Sequence, residues 1–125
     1  MEKVEIGRLG ETAVCQWLEA RNYTIVERNY CVRGGEIDII AKNETDLAFV
    51  EVKTRKPGSM VSGYDAVTVQ KQQRIIRAAA LWCAAHPLEL QPRFDVAVVE
   101  MSGTEICSID YVEQAFDASD SAYIF

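Results

Sequence analysis

A chain of 125 residues, 49% of them hydrophobic, is long enough for one sizeable core and too apolar for a disordered polymer. Its formal charge of −6 argues superficially against a nucleic-acid partner, but the distribution weakens that argument: residues 1–95 balance 13 basic against 13 acidic side chains, and the excess is confined to Glu100, Glu105, Asp110, Glu113, Asp117 and Asp120. No apolar run reaches the roughly 20 residues of a membrane span, and the Met1-Glu2-Lys3 start lacks a signal-peptide core, so a cytoplasmic protein without a membrane partner is expected. Four scattered cysteines and one histidine, His86, make a zinc centre improbable; reduced, partly buried thiols are expected instead.

Residues 7–21 read as the first helix, with Leu9, Ala13, Val14, Trp17 and Leu18 on one apolar stripe and Trp17 in the core. Glu11 falls off that stripe, in the early helix, where an acid gains from the helix dipole. Tyr23 to Asn29 follows as a strand. Arg33-Gly34-Gly35 is a turn suited to positive φ and close backbone approach.

Gly34 to Lys53 carries the strongest pattern. Two β-branched runs flank the polar loop Asn43 to Asp46, which is the signature of a hairpin. Pairing Lys42 with Leu47 sets Ile40 opposite Phe49, Asp38 opposite Glu51 and Glu36 opposite Lys53. Ile37, Ile39, Val50 and Val52 then make the other face apolar, as in a strand pair covered on both sides. Two carboxylates directly opposite each other destabilise a sheet. Either they lie on a solvated face of the hairpin, or a divalent cation between Asp38 and Glu51 supplies the reason for the pair. The apolar Ile40 and Phe49 on the same face favour the second.

The basic loop from Thr54 through Arg55 and Lys56 to Ser59 begins beside this pair; its two cations fit a solvated loop and equally a phosphate-holding one. Thr68 caps a second helix running to about Ala85. Ile75, Ile76, Ala79, Trp82 and Cys83 form its buried stripe, and Pro87 ends it. Lys71, Arg74 and Arg77 decorate its surface. His86 is a terminal-turn residue. Phe94 to Val99 is a strand interrupted by Asp95; reached through a helix, it must run parallel to its sheet neighbour. Glu105 to Ile109 is read as an edge strand. The remainder, from about residue 110, is read as a weakly patterned acidic tail. The whole is one α/β domain, a mixed sheet covered by helices.

Asp38 followed by Glu51-Val52-Lys53 resembles the PD-(D/E)XK nuclease signature, and the element order resembles its restriction-endonuclease-like αβββαβ core. The chain is more closely similar to a bacterial family of endonuclease-like proteins distantly related to archaeal Holliday junction resolvases. The likeness rests on Gly7-Arg8-Leu9-Gly10-Glu11, Gly35-Glu36-Ile37-Asp38-Ile39-Ile40 and Phe49-Val50-Glu51-Val52-Lys53-Thr54-Arg55. Ala66-Val67-Thr68 with Lys71, and Arg93-Phe94-Asp95-Val96, complete it. Val69-Gln70 departs from the proline and basic residue expected there.

The resemblance implies Mg²⁺ or Mn²⁺ held by Asp38, Glu51 and the Val52 carbonyl, with Lys53 stabilising negative charge and Glu11 supporting a ligand water. These four side chains would be the catalytic set. Glu36 and Lys71 would support them, Glu36 by pairing with Lys53. Arg8, Arg55, Lys56, Lys71 and Arg74 would meet DNA, including branched DNA, and a homodimer is among the assemblies implied. Two other readings stay open: a nucleic-acid-binding module that does not cut, and a protein-interaction domain whose Asp38, Glu51 and Lys53 form only an ion network.

Overall fold

A computed structural model describes residues 3–58, 67–119, 121, 123 and 125. Met1, Glu2, Ser59, Ala66 and Asp120, which the sequence reading used, lie outside them. The order is α1 (Lys3–Glu19), β1 (Thr24–Val32), β2 (Gly35–Lys42), β3 (Asp46–Arg55), α2 (Val69–Ala85), β4 (Gln91–Ser102) and β5 (Glu105–Phe116). The five strands form one mixed sheet in sequential order. Only β3 and β4 run parallel, because α2 carries the chain back between them. The αβββαβ core is therefore present, extended by β5.

Two apolar clusters sandwich the sheet. Val14, Cys15 and Leu18 of α1 pack on Ile39, Ala41, Ala48, Val50, Ala97 and Val99. On the other face, Ile75, Ile76, Ala79 and Trp82 of α2 pack on Ile37, Ile40, Phe49, Phe94, Val96 and Val98. The central strands are apolar on both faces because both faces are covered.

Two glycines set how closely the helices approach. A Cβ on Gly35 would lie 2.5 Å from the Arg74 carbonyl oxygen, so α2 rests directly on the start of β2. A Cβ on Gly10 would lie 2.7 Å from Thr54 Cγ2, so α1 rests on the end of β3. Thr68 caps α2, its hydroxyl accepting from the Lys71 N–H, and His86 closes it.

Several expectations are corrected. Helix α1 begins four residues earlier than the stripe suggested, and its buried line runs through Gly10, Val14, Cys15 and Leu18. Leu9 is exposed, and Trp17 is half-buried at the cluster's margin, stacked on Tyr111 at 4.5 Å with Arg21 over its other face. The stripe turns because Gly10, the smallest residue, is the one pressed against the sheet. Strand β5 runs to Phe116, so Asp110 and Glu113 belong to a sheet edge and not to a tail. Its pattern is weak because an edge strand leaves many side chains in water. The cysteines are free, Cys15 buried and Cys31 and Cys107 exposed.

Asp95 is fully buried. It accepts from the Arg93 guanidinium, the Tyr111 hydroxyl and the Gln114 N–H, while Arg93 also reaches Asp46 and the Tyr23 hydroxyl. Burial and the neighbouring Asp95 charge push the Tyr111 phenol upward. Burial alone would lower Arg93, but its bonds to Asp95 and Tyr23 more than reverse that. A charge inside a strand is tolerable here because every strong polar atom around it is paired.

Candidate functional site

The hairpin ladder between β2 and β3 runs from Lys42–Leu47 to Ile39–Val50, in the register the loop length dictates. There it stops. The expected Asp38–Glu51 and Glu36–Lys53 rungs are absent, and the strands part. In place of a rung, Asp38 Oδ2 accepts from the Val52 N–H at 2.8 Å. The N–H and C=O of one strand residue share a side, so the Val52 carbonyl also faces the gap.

A second irregularity aims Asp38. The β1–β2 ladder passes from Arg28–Ile39 to Tyr30–Ile37 without an Asn29–Asp38 rung, and Asn29 adopts φ 53°. Side-chain alternation slips at this step. Ile39 faces α1, whereas Ile37 faces α2 together with Ile40. The expectation that Ile37 shares a face with Ile39 fails for this reason. The slip leaves the Asp38 carboxylate between the two faces, at the mouth of the gap. Asparagine tolerates left-handed backbone better than most residues, and that was the one sequence signal for the kink.

Glu51 lies on the α2 face, 5% exposed. Burial, reinforced by Asp38, pushes its carboxyl well above the ordinary range, to about 9. Its Oε2 finds no hydrogen-bond donor among the described residues, although the Lys71 ammonium stands 3.6 Å away. Lys71 bonds Glu36 instead, which corrects the expected Glu36–Lys53 pair. That bond, first, and the Lys71 charge hold Glu36 below the usual carboxylate range. Burial works against the Lys71 ammonium, but Glu36, Glu51 and Asp38 outweigh it and raise its pKa. Lys53 follows Glu51 on the same face, half-buried, and makes no ion pair among the described residues.

Glu11 arrives from α1. Because the helix starts at Lys3, Glu11 is well past the first turn, and the dipole explanation no longer applies. Its side chain is 15% exposed, and Oε1 is buried without a hydrogen bond among the described residues. Burial, then the Asp38 charge, raises its pKa; Asn29 and Arg28 offset part of this. Arg28 stands 3.7 Å from Glu11 and donates to the Thr12 hydroxyl. The sequence pattern gave no sign of Arg28, which reaches the site only through sheet pairing.

The structure thus gathers Glu11, Glu36, Asp38, Glu51, Lys53 and Lys71 around one gap. The outer cations are dispersed. Arg8 is exposed on α1, one turn before Glu11, and Arg74 is exposed on α2 near Glu36. Arg55 and Lys56 line a separate cavity with Lys3. Arg77, on the same helix, is tied to the protein itself: it donates to the Arg33 carbonyl and the Tyr123 hydroxyl. No described helix is long and apolar enough to cross a membrane.

The family model described as uncharacterised protein family UPF0102 matches residues 10–99, a span that includes the residues around the gap and, from the Asp95 network, Tyr23, Asp46, Arg93 and Asp95. A UPF0102 protein of Synechococcus sp. (strain JA-3-3Ab) is 42% identical over 119 residues, covering 90% of this chain and 91% of the relative. One from Desulfosudis oleivorans is 42% identical over 123 residues, covering 97% of each. One from Prosthecochloris aestuarii is 45% identical over 102 residues, covering 81% and 80%. With its fold and this match over most of its length, the chain belongs to the uncharacterised protein family UPF0102.

Proposed function

We propose that this protein is a metal-dependent endonuclease of the PD-(D/E)XK type, hydrolysing phosphodiester bonds of DNA, branched DNA included. The observation that carries the reading is the pair of buried carboxylate oxygens without donors, Glu11 Oε1 and Glu51 Oε2, either side of Asp38. Unsatisfied buried acceptors are costly, and a hard cation is the partner their chemistry suits. Among the described residues no three acids, histidines or cysteines converge into a ready-made cage. A Mg²⁺ or Mn²⁺ ion would therefore rest on one or two of these carboxylates and keep several waters.

Asp38, Glu51 and the Val52 carbonyl would hold the ion, with Glu11 orienting a ligand water. When bound, the ion supplies an acidified water and screening of phosphate charge. Lys53 sits one step outward on the Glu51 face. Its ammonium cannot be a ligand, having no lone pair, so it stabilises negative charge developing on the phosphate. Lys71 holds Glu36 aside and lends positive charge to Glu51.

A second reading has its own observation. Lys71 between Glu36 and Glu51 is also what a purely structural ion network, in a binding or interaction domain, would contain. Cleavage of linear, flapped and four-way DNA with Mg²⁺ or Mn²⁺ decides between them. Wild type should cut at least one substrate while identically purified Glu51→Gln does not. Equal cutting by both would be contamination and would remove the enzyme reading.

A further inference from the structure

A cavity of about 450 Å³ lies where the first turns of α1, the end of β3 and the β4–β5 turn meet. The Gly10–Thr54 contact brings α1 close enough to form it. Ile6 and Met101 give it an apolar lining, and Lys3, Arg55 and Lys56 bring three cations from two segments. The Arg55 Nε–H is buried and has no acceptor among the described residues. Its guanidinium is 4.0 Å from Glu100, but that carboxylate already accepts from the Gly58 N–H and the Ser108 hydroxyl. One shared acid against three cations leaves positive charge beside an apolar lining. A buried donor without a partner calls for an acceptor, and an anion is the strongest one. The volume lies within the range of small-molecule pockets.

We propose that this cavity binds one nucleotide unit of a DNA strand. Its phosphate would lie on Arg55, with Lys56 and Lys3, and its base, lifted out of the stack, against Ile6 and Met101. The choice of a nucleotide rests on the endonuclease reading. The cavity begins at Thr54, the residue after Lys53, so the unit it holds neighbours the phosphate at Asp38 and Glu51.

The test needs neither metal nor cleavage. Protein labelled at isoleucine and methionine methyls is titrated with deoxynucleoside 5′-monophosphates, deoxynucleosides, inorganic phosphate and a short-chain alkyl phosphate. Monophosphates should shift the Ile6 and Met101 signals and bind at least tenfold tighter than nucleoside or phosphate alone. Arg55→Gln and Ile6→Ala, each checked for an unchanged unfolding midpoint, should each weaken binding at least threefold. Silent Ile6 and Met101 signals at saturating monophosphate would overturn the proposal. So would phosphate alone binding equally well, or alkyl phosphate binding more tightly. Nucleotide binding without any DNA cleavage would leave the pocket standing and fail the endonuclease reading; cleavage with a silent pocket would do the reverse.

Discussion

At the residue scale, Lys53 and Glu51 separate chemistry from architecture. Lys53→Met keeps much of the aliphatic stem and removes only the charge. Metal and DNA binding should stay near normal while cleavage falls on the order of 10²-fold or more, the scale for losing a stabiliser of developing charge. A rate unchanged in Lys53→Met would take that role from Lys53. Glu51 makes stability depend on pH. Between the ordinary value of 4.5 and about 9, the folded chain keeps a proton that the unfolded chain has released. Its contribution is therefore complete in acid and lost as pH rises towards 9, by at most about 1.4 kcal/mol per pH unit. Glu51→Gln should flatten this decline in urea unfolding, and an identical slope in the mutant would assign it elsewhere. Bound Mg²⁺ must displace that proton, so its thermal stabilisation should grow between pH 6 and 8 and vanish in Asp38→Asn. An increment independent of pH would contradict this.

At the element scale, two helix–strand contacts place the site. The atom facing Gly35 is backbone, the Arg74 carbonyl, so α2 itself must move to admit a side chain. Gly35→Ala should cost about 1–3 kcal/mol in urea unfolding and withdraw Lys71 from Glu36, since Lys71 rides on α2 with Arg74 while Glu36 stays on β2. The atom facing Gly10 is a side-chain methyl, which makes its effect repairable. Gly10→Ala should destabilise, and Thr54→Ser in the same chain should recover most of the loss. Simply additive losses would mean that the two residues do not oppose each other as the geometry indicates.

At the scale of the whole molecule, the Asp95 network ties β3, β4, β5 and the turn leading into β1 together through Tyr23, Asp46, Arg93, Tyr111 and Gln114. Asp95→Asn removes Arg93's fully buried carboxylate partner, leaving Asp46 as its close one, and should cost about 2–4 kcal/mol in denaturant unfolding. A loss under 1 kcal/mol would show the ion pair to be dispensable. Charge is also segregated across the molecule. Glu105, Asp110 and Glu113 are exposed on the edge strand β5, where charges discourage pairing with other chains. Lys56 and Arg74 are exposed, and on the proposed function they would meet DNA phosphates. Neutralising both should reduce the salt slope of DNA binding by about 2, equally across sequences. An unchanged slope would move the DNA path off these residues.

The sequence by itself determined the element order, the parallel placement of β4, the hairpin loop and the first four rungs of its register. It also determined that Asp38, Glu51 and Lys53 cluster near one end of that hairpin. These follow from loop length and from side-chain periods of two and 3.6, which act between residues close in the chain. Only the tertiary structure decided the rest. Glu11 turns inward because Gly10 lets α1 press on Thr54, contacts some forty residues apart that no helical period encodes. Asp38 reaches the gap because β1 and β2 change face together at Asn29, which requires both strands at once. Lys71 chooses Glu36 over the open surface because Gly35 seats α2 beside it. Strand β5 hid its character because half its surface faces water, and the β4 edge supplies the hydrogen bonds that its own sequence does not announce.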